Sequence, residues 1–363
     1  MTKVSIPDSS GRIQELDGWR AISVLLVIVS HLLSFRNLVQ LNPAISRVVY
    51  LAGNLGVTVF FVISGFVICR LFILEEKKFG SVSLKGFYCR RAFRILPPLY
   101  IFLAAIALLL AAGLIRGRWE ALPVAAAFLS DLDKIPKNWF VEHTWSLAVE
   151  EQFYLIFPAM WVLTPSRWRA RVAAATFLLC IVSSLAATVP QFTFLFGTAP
   201  RWGFAAITVG VWAAIQEGWV RQTAARAPGV LVALVALILL VRPVREVNSR
   251  EMALFCAAFM PLAIGLVLMY SLERGRWLRA VLCSRPMQAI GLTSYGIYLW
   301  QQVFTGDLNK FTSRGVAIGF MLPLMLIIVP LSYFFLEKPA MRFGRALSRR
   351  ARETAAVRSG NAT

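Results

Sequence analysis

The chain has 363 residues, of which 58% are hydrophobic and 15% charged, and its mean hydropathy is +0.68. Many apolar runs reach ~20 residues, the helix length that crosses a ~30 Å hydrocarbon core. This composition excludes a soluble nucleotide-binding domain or a repeat array and indicates an all-α, polytopic helical membrane protein. The net charge of +20 does not indicate a nucleic-acid partner, because the basic residues stand between apolar runs, where they orient spans and meet anionic lipid.

We predict about ten transmembrane helices that form one membrane domain over residues 1–341, followed by a basic cytoplasmic tail over residues 342–363. The predicted spans are residues 18–36, 53–74, 95–115, 143–163, 170–189, 200–217, 229–241, 252–271, 288–305 and 316–336. A small apolar helix around Leu122–Leu129 is too short to cross the membrane. The first apolar run is long and lacks a small-residue cleavage pattern, so we expect it to remain as a span.

The distribution of basic residues predicts the orientation. If the N-terminus lies inside, the inner segments contain 25 Lys and Arg residues and the outer loops contain 12. This bias predicts that both termini are cytoplasmic. The five cysteines show neither paired spacing nor nearby histidines, so the sequence predicts no disulfide framework and no metal site.

The first span begins LDGWRAISVLLVIVSH and contains Arg20 and His31, one of only two histidines. Eleven residues separate them, which is roughly 16 Å along a helix and about the same helix face. The pattern therefore predicts an arginine at the membrane surface and a histidine near mid-bilayer on one inward-facing stripe. An ionisable residue at that depth is a candidate functional residue, although a neutral packing histidine is the alternative.

The segment FYCRRAFRILPPLY follows the second span and interleaves Arg90, Arg91 and Arg94 with aromatic residues. Arginine suits phosphate groups because it gives bidentate, charge-assisted hydrogen bonds. An ordinary positive-inside loop that contacts anionic lipid is the alternative interpretation. Pro97 and Pro98 are expected to break or kink the helix just beyond the cluster.

The fourth span opens HTWSLAVEEQFYLIFP, with Glu150 and Glu151 about two turns inside an apolar helix. Two adjacent carboxylates in hydrocarbon indicate a cavity, a cationic partner or protonation, and structural pairing with an arginine is the alternative to chemistry. Tyr154 lies on the same stripe as Glu150 and is expected to hydrogen-bond to it. His143, at the outer end, is expected to contact water or an acceptor rather than to be catalytic.

These motifs, in this order and spacing, resemble the integral-membrane acyltransferase 3 family. The resemblance rests on LDGWRAISVLLVIVSH, GVTVFFVISGFVI, FYCRRAFRILPPLY, WSLAVEEQFYLIFP and SYGIYLW, and it ends with SYFFLEKPAMRF. It covers Leu16 to about Met341. Two positions depart from the family pattern: Thr58 stands where Asp is frequent, and Gln301 stands where His commonly follows the Leu-Trp pair.

The resemblance implies transfer of an acyl group, usually acetyl, from cytoplasmic acyl-CoA to a hydroxyl of a cell-envelope or secreted glycoconjugate, by a protein of the bacterial inner membrane. No permanently bound cofactor is implied, since acyl-CoA is a substrate. The partners are acyl-CoA, a carbohydrate or lipid-linked glycan acceptor and membrane lipids. The family's arginine and histidine signature falls on Arg20 and His31, and its arginine motif falls on Arg90, Arg91 and Arg94.

The chemistry of such a transfer suits these residue types. We predict that His31 is the general base, because imidazole titrates close to operating pH, and that Glu150 or Glu151 orients it. The three clustered arginines would hold the phosphates of acyl-CoA, and Arg20 would help to hold the donor or pair with a glutamate. Supporting or acceptor-contacting roles are expected for Trp145, Ser146, Tyr154 and His143.

Three alternatives remain open at the level of sequence. The ionisable residues would form a proton relay in a transporter or flippase of an envelope glycolipid, although no inverted repeat of the hydropathy pattern is evident. A non-catalytic lipid-binding scaffold would tolerate loss of His31 without loss of chemistry. A covalent acyl-histidine intermediate is a variant of the enzyme mechanism.

Overall fold

The computed structural model describes residues 13–35, 43–132, 135–188, 201–241, 249–274, 276–305, 308–313 and 323–360. These residues are almost entirely helical, with turns and one isolated β-bridge between Ile115 and Phe311. The predicted all-α class is therefore confirmed.

The helices follow one another with short connections. In chain order they are α1 (Gln14–Phe35), α2 (Pro43–Phe79), α3 (Leu84–Ala111), α4 (Ala121–Ala126), α5 (Trp139–Glu142), α6 (Thr144–Leu163), α7 (Ser166–Ala186), α8 (Arg201–Ile215), α9 (Glu217–Arg226) and α10 (Gly229–Val241). They continue with α11 (Ser249–Leu254, a π-helical turn Phe255–Phe259, and Met260–Glu273), α12 (Arg276–Leu282) and α13 (Arg285–Phe304). The last are α14 (Pro323–Leu331), a π-helical turn Ser332–Glu337 and α15 (Lys338–Gly360).

Each of the ten predicted spans overlaps a helix, but ten membrane crossings are not confirmed. Among the described residues, five helices are long and apolar enough to cross a membrane, and a sixth span results if α9 and α10, bent by 102°, count as one. The five lie within α1, α2, α3, α7 and α11. The first seven residues of the tenth predicted span, residues 316–322, lie outside the described residues.

Small residues let α1 and α2 pack closely. A Cβ atom on Gly56 would collide with the backbone carbonyl of Ser23, and one on Gly53 would collide with the Ser30 hydroxyl. Because the order of contacts reverses along the two helices, α1 and α2 run antiparallel. Such contacts replace hydrophobic burial as the main source of helix association where lipid is the solvent.

The crossing of α2 and α8 is tighter still. A Cβ atom on Gly65 would collide with the carbonyl of Ile207, and one on Gly210 would collide with the carbonyl of Val62. The two glycines therefore form a reciprocal backbone contact, around which Ile63, Phe66 and Ile207 are almost completely buried.

Pro97 and Pro98 lie inside α3, which continues unbroken from Leu84 to Ala111. Of the predicted break or kink at these prolines, the break is therefore wrong, whereas the kink stays a prediction. The hydroxyl of Tyr295 donates to the carbonyl of Ile95 at 2.9 Å, close to the turn where proline removes intrahelical donors. The bond links α13 to α3 one residue beyond the two carbonyls that the prolines deprive of intrahelical donors.

The chain divides into two compact units. The first comprises the residues up to Leu71, Ser130–Ile135 and Trp145–Ser294, and it contains Arg20, His31 and both glutamates. The second comprises Phe72–Leu129, Pro136–Thr144 and the residues from Tyr295 onward, and it contains the arginine cluster and His143. Helix α15 packs along α3. It continues without interruption through residues 341 and 342, the predicted boundary between the membrane domain and the tail.

Candidate active site

Arg20 lies near the beginning of α1 and is already part of an ion pair. Its guanidinium nitrogen is 2.9 Å from a carboxylate oxygen of Asp17, which is buried. Two close contacts also fix the backbone around Asp17. A Cβ atom on Gly18 would collide with Leu282, and one on Gly291 of α13 would collide with the backbone of Asp17. The ion pair therefore orients Arg20 on a rigid helix end.

His31 is partly buried and lies four residues before the end of α1. This position is roughly 10 Å beyond the midpoint of the helix. Helix α1 begins at Gln14, earlier than predicted, and the depth of His31 in the bilayer stays a prediction. The neighbouring residue Ser30 packs against Gly53 of α2, which fixes the level of His31 in the helix pair.

Glu150 receives a hydrogen bond from the hydroxyl of Ser64 at 2.5 Å, which joins α6 to α2. Ser64 lies eleven residues after Gly53, about 16 Å along α2. Since α1 and α2 are antiparallel, Glu150 lies near the level of Arg20, whereas His31 lies near that of Gly53. The predicted orientation of His31 by Glu150 or Glu151 stays a prediction.

Trp145 belongs to an aromatic cluster at the beginning of α6. Its ring contacts Phe61 edge-to-face with centroids 6.1 Å apart and Trp202 with centroids 5.4 Å apart. Ser146 and Tyr154 are buried, and Tyr154 packs against Phe153. The cluster supports the helix that carries the glutamates, while the hydrogen bond from Tyr154 to Glu150 stays a prediction.

His143 is buried, with 3% of its surface exposed, and its expected contact with water or an acceptor stays a prediction. It ends the short helix α5, and its Nδ1 atom is 2.5 Å from the side-chain carbonyl oxygen of Gln302. The same oxygen accepts from the His143 backbone amide at 3.2 Å, and the hydroxyl of Tyr298 donates to the His143 carbonyl at 2.9 Å. These contacts from α13 enclose the imidazole, which also packs edge-to-face on Phe102.

Arg90 is engaged by protein groups on α2 and α15. One guanidinium nitrogen is 3.1 Å from the carboxylate of Glu75, and another donates to the hydroxyl of Ser348 at 2.5 Å. Glu75 also forms an ion pair with Arg352. The carboxylate therefore lies between two arginines, and it fixes α15 to the segment where the sequence predicts phosphate binding.

Arg91 and Arg94 are partly exposed on α3. Arg94 attracts the carboxylate of Glu337 electrostatically, and that carboxylate is buried next to Gly296 and accepts from the Ser332 hydroxyl at 3.2 Å. Three arginines that look equivalent in sequence thus have different surroundings.

Comparison with known proteins decides the family. The model of a family described as an acyltransferase domain, Acyl_transf_3, matches residues 13–337. The chain belongs to this acyltransferase family. No solved structure matches the chain.

Several curated proteins are similar to this chain. A "Putative O-acetyltransferase" of Staphylococcus aureus is 27% identical over 91% of this chain and 57% of its own length. The "Putative peptidoglycan O-acetyltransferase YrhL" of Bacillus subtilis is 27% identical over 92% of this chain and 56% of its own. The peptidoglycan O-acetyltransferase OatA of Listeria monocytogenes is 24% identical, with the same two shares. The chain therefore spans little more than half the length of these relatives.

The structure also shows residues that the sequence motifs did not reveal. Ser64, Asp17, Glu75 and Gln302 contact predicted site residues, yet three of the four contacts join segments far apart in the chain. Only the pair of Asp17 and Arg20 is local, and its three-residue spacing on a helix was a usable signal. The other partners carry no pattern that distinguishes them from ordinary helix residues.

Proposed function

We propose that this acyltransferase is an integral-membrane O-acetyltransferase that takes an acetyl group from cytoplasmic acyl-CoA and transfers it to a hydroxyl of a cell-envelope glycan. The observation that carries the proposal is the family match over residues 13–337, which includes every proposed site residue. The names of two relatives specify peptidoglycan, which supports a carbohydrate acceptor.

In the proposed reaction, an acceptor hydroxyl oxygen attacks the thioester carbonyl carbon of the donor. His31 accepts the hydroxyl proton, the new ester C–O bond forms and the C–S bond breaks. The thiolate of coenzyme A leaves and takes the proton from His31, so that the imidazole is neutral again. An imidazole suits both transfers because its pKa lies near operating pH.

The roles of the charged residues follow from their surroundings. We assign Arg91 and Arg94 to the phosphates of the donor, because arginine forms bidentate hydrogen bonds with phosphate. We assign Arg90 a structural role at this site, since it already forms an ion pair with Glu75 and a hydrogen bond with Ser348. Arg20, which Asp17 holds, is assigned to holding the donor or pairing with a glutamate, and Glu150 or Glu151 is assigned to orienting His31.

The proposed location is the bacterial inner membrane, with both termini in the cytoplasm. The excess of Lys and Arg in the inner segments supports this orientation. It brings the arginines of α3 to the side where acyl-CoA is present.

The decisive experiment measures release of free coenzyme A from acetyl-CoA by the purified protein in lipid nanodiscs, with and without peptidoglycan fragments. Wild type, His31→Ala and the adjacent control Leu32→Ala are compared; Leu32 is exposed. We expect acceptor-dependent release by wild type and Leu32→Ala, and at least a ~100-fold lower rate for His31→Ala, the usual size of a general-base contribution.

Two outcomes contradict the proposal. Full activity of a folded His31→Ala variant excludes His31 as the base. Absence of both acetyl-CoA binding and coenzyme A release from wild type, with several envelope glycans tried as acceptors, contradicts the enzyme and favours the glycolipid transporter, in which the same ionisable residues relay protons.

A further inference from the structure

The first compact unit contains an apolar cavity of about 190 Å³ between α6, α7 and α8. Phe153, Phe157, Trp161, Ala173 and Thr208 form part of its wall. An apolar cavity of about 150 Å³ accommodates a benzene molecule. This cavity therefore has room for an apolar segment of at least about six carbon atoms.

A single charged side chain lines the cavity, and it is basic. The guanidinium carbon of Arg169 lies 3.8 Å from the ring centroid of Trp161, and its Nε atom donates to the carbonyl of Thr164 at 3.1 Å. These two contacts hold the cation at the edge of an otherwise apolar space. Stacking on the indole ring stabilises the cation and leaves the planar guanidinium suited to phosphate.

Further positive charge surrounds this edge. Arg167 and Arg171 flank Arg169 in sequence and are exposed, and Arg171 lies over the Trp168 ring at 4.7 Å. Helix α7 begins here at Ser166, and its N-cap residue Pro165 provides no side-chain hydrogen bond to the first amides. The positive end of the helix dipole therefore adds to the attraction for an anion.

Helix α7, which forms one wall of the cavity, packs against α8 but leaves much of its surface exposed in the described part of the chain. Only 6% of its most apolar window is buried, and Leu178, Leu179 and Val182 are each at least 60% exposed. In a membrane such a surface contacts lipid. Ile156, which lines the cavity, is itself 51% exposed, so the cavity reaches the exposed surface of the first unit.

From this combination we infer that the cavity binds one acyl chain of an anionic membrane phospholipid, whose phosphate contacts Arg169 and is attracted by Arg167 and Arg171. This site goes beyond the proposed acetyl transfer, since its occupant is neither donor nor acceptor. Basic pockets between transmembrane helices favour anionic headgroups, and the positive-inside rule assigns these arginines to the cytoplasmic leaflet. Lipid at this position would stabilise the contacts between α7 and α8.

Native mass spectrometry of the detergent-solubilised protein tests the headgroup. Equal amounts of phosphatidylglycerol and phosphatidylcholine with identical acyl chains are added to wild type, Arg169→Gln and Arg118→Gln, the last being an exposed control arginine. We expect phosphatidylglycerol to be retained about tenfold better by wild type and Arg118→Gln, and the preference to fall to near unity in Arg169→Gln. An unchanged preference in Arg169→Gln overturns the phosphate assignment.

A second comparison tests the acyl chain. Ala173→Leu fills part of the cavity, and we expect it to lower retention of both lipids, while the thermal unfolding temperature shows that the variant is folded. Thr176→Val is a second variant that keeps side-chain volume and should retain both lipids. Equal retention in Ala173→Leu overturns the cavity assignment, and so does displacement of phosphatidylglycerol by palmitoyl-CoA, which would assign the cavity to the acyl donor. All these readouts are binding measurements, so they are valid whether or not the protein transfers acetyl groups.

Discussion

Glu150 and His143 illustrate how much the surroundings of a single side chain decide. Both are prominent in the same sequence motif, yet Glu150 is bonded to a serine of α2, whereas His143 is enclosed by residues of α13. The Glu150 carboxylate and the His143 imidazole, seven residues apart in the sequence, thus belong to different compact units. Their substitution should accordingly have different consequences.

Substitution of Gln302 by Ala should destabilise the protein. The side-chain oxygen of Gln302 serves both the Nδ1 atom and the backbone amide of His143 in a buried site, so the variant leaves donors without that acceptor. Unsatisfied buried groups cost about 1–3 kcal/mol each. We expect a lower thermal unfolding temperature in detergent than for the control Gln222→Ala, an exposed glutamine of α9. Equal unfolding temperatures for the two variants would contradict a structural role for this hydrogen bond.

Substitution of Ser64 by Ala tests the surroundings of Glu150. Loss of the hydroxyl removes a donor to the carboxylate, which should cost about 1–3 kcal/mol. Ser64→Thr keeps a hydroxyl and serves as the matched variant. If Ser64→Ala unfolds at the same temperature as wild type and only Ser64→Thr unfolds at a different one, the hydrogen bond contributes nothing to stability. Steric crowding around residue 64 would then determine the unfolding temperature.

At the scale of helices, the sequence predicts most of what depends on local periodicity. The spans at α1, α2 and α7 follow from runs of apolar residues and match their helices within a few residues, apart from the longer N-terminal end of α2. The continuous α3 could not be predicted from Pro97 and Pro98 alone, because packing partners of this segment lie far away in the chain, such as Tyr295, 200 residues from Ile95. Long-range partners leave no periodic pattern in the chain.

The glycine contact between α2 and α8 leads to a prediction at this scale. Gly65→Ala should destabilise the protein, because the added methyl group would collide with the backbone of Ile207 and force the helices apart. Overpacking of this kind typically costs about 1–3 kcal/mol. The control is Gly218→Ala in α9, where no atom lies within 4 Å of the added Cβ and alanine should be neutral or stabilising. A similar unfolding temperature for both variants would show that the helices separate at no cost.

The C-terminal helix α15 shows how an ion pair can join distant elements. Glu75 binds both Arg90 of α3 and Arg352 of α15. Glu75→Gln removes the charge but keeps the shape, so α15 should be held less firmly and trypsin should cleave near Arg352 faster than in wild type. Glu76→Gln, the adjacent substitution, is the control. Equal cleavage rates would mean that the apolar contact of Phe343 with Phe93, rather than the carboxylate, holds the helix.

For the whole molecule, the distribution of residues between the two units suggests a division of roles. Arg20, His31 and Glu150 belong to the first unit, whereas the arginines of α3 and the helix that engages Arg90 belong to the second. The chain passes from one unit to the other within α2, so the order of motifs in the sequence does not reveal the division. Catalysis and donor binding should therefore be separable by substitution.

The separation can be tested with His31→Ala, the double variant Arg91→Gln/Arg94→Gln, and Arg90→Gln. His31→Ala should abolish transfer but bind acetyl-CoA as wild type does, because the imidazole acts only on the reacting atoms. The double variant should raise the Kd for acetyl-CoA at least about tenfold, equivalent to about 1.4 kcal/mol, with a smaller effect on kcat. Arg90→Gln should change the Kd less and the unfolding temperature more, since it removes the partner of Glu75 and Ser348.

The measurements are equilibrium binding of acetyl-CoA, coenzyme A release and thermal unfolding on the same preparations. Unchanged donor binding in the double variant would exclude Arg91 and Arg94 from the phosphate site, whereas loss of donor binding in His31→Ala would mean that one group of residues serves both steps.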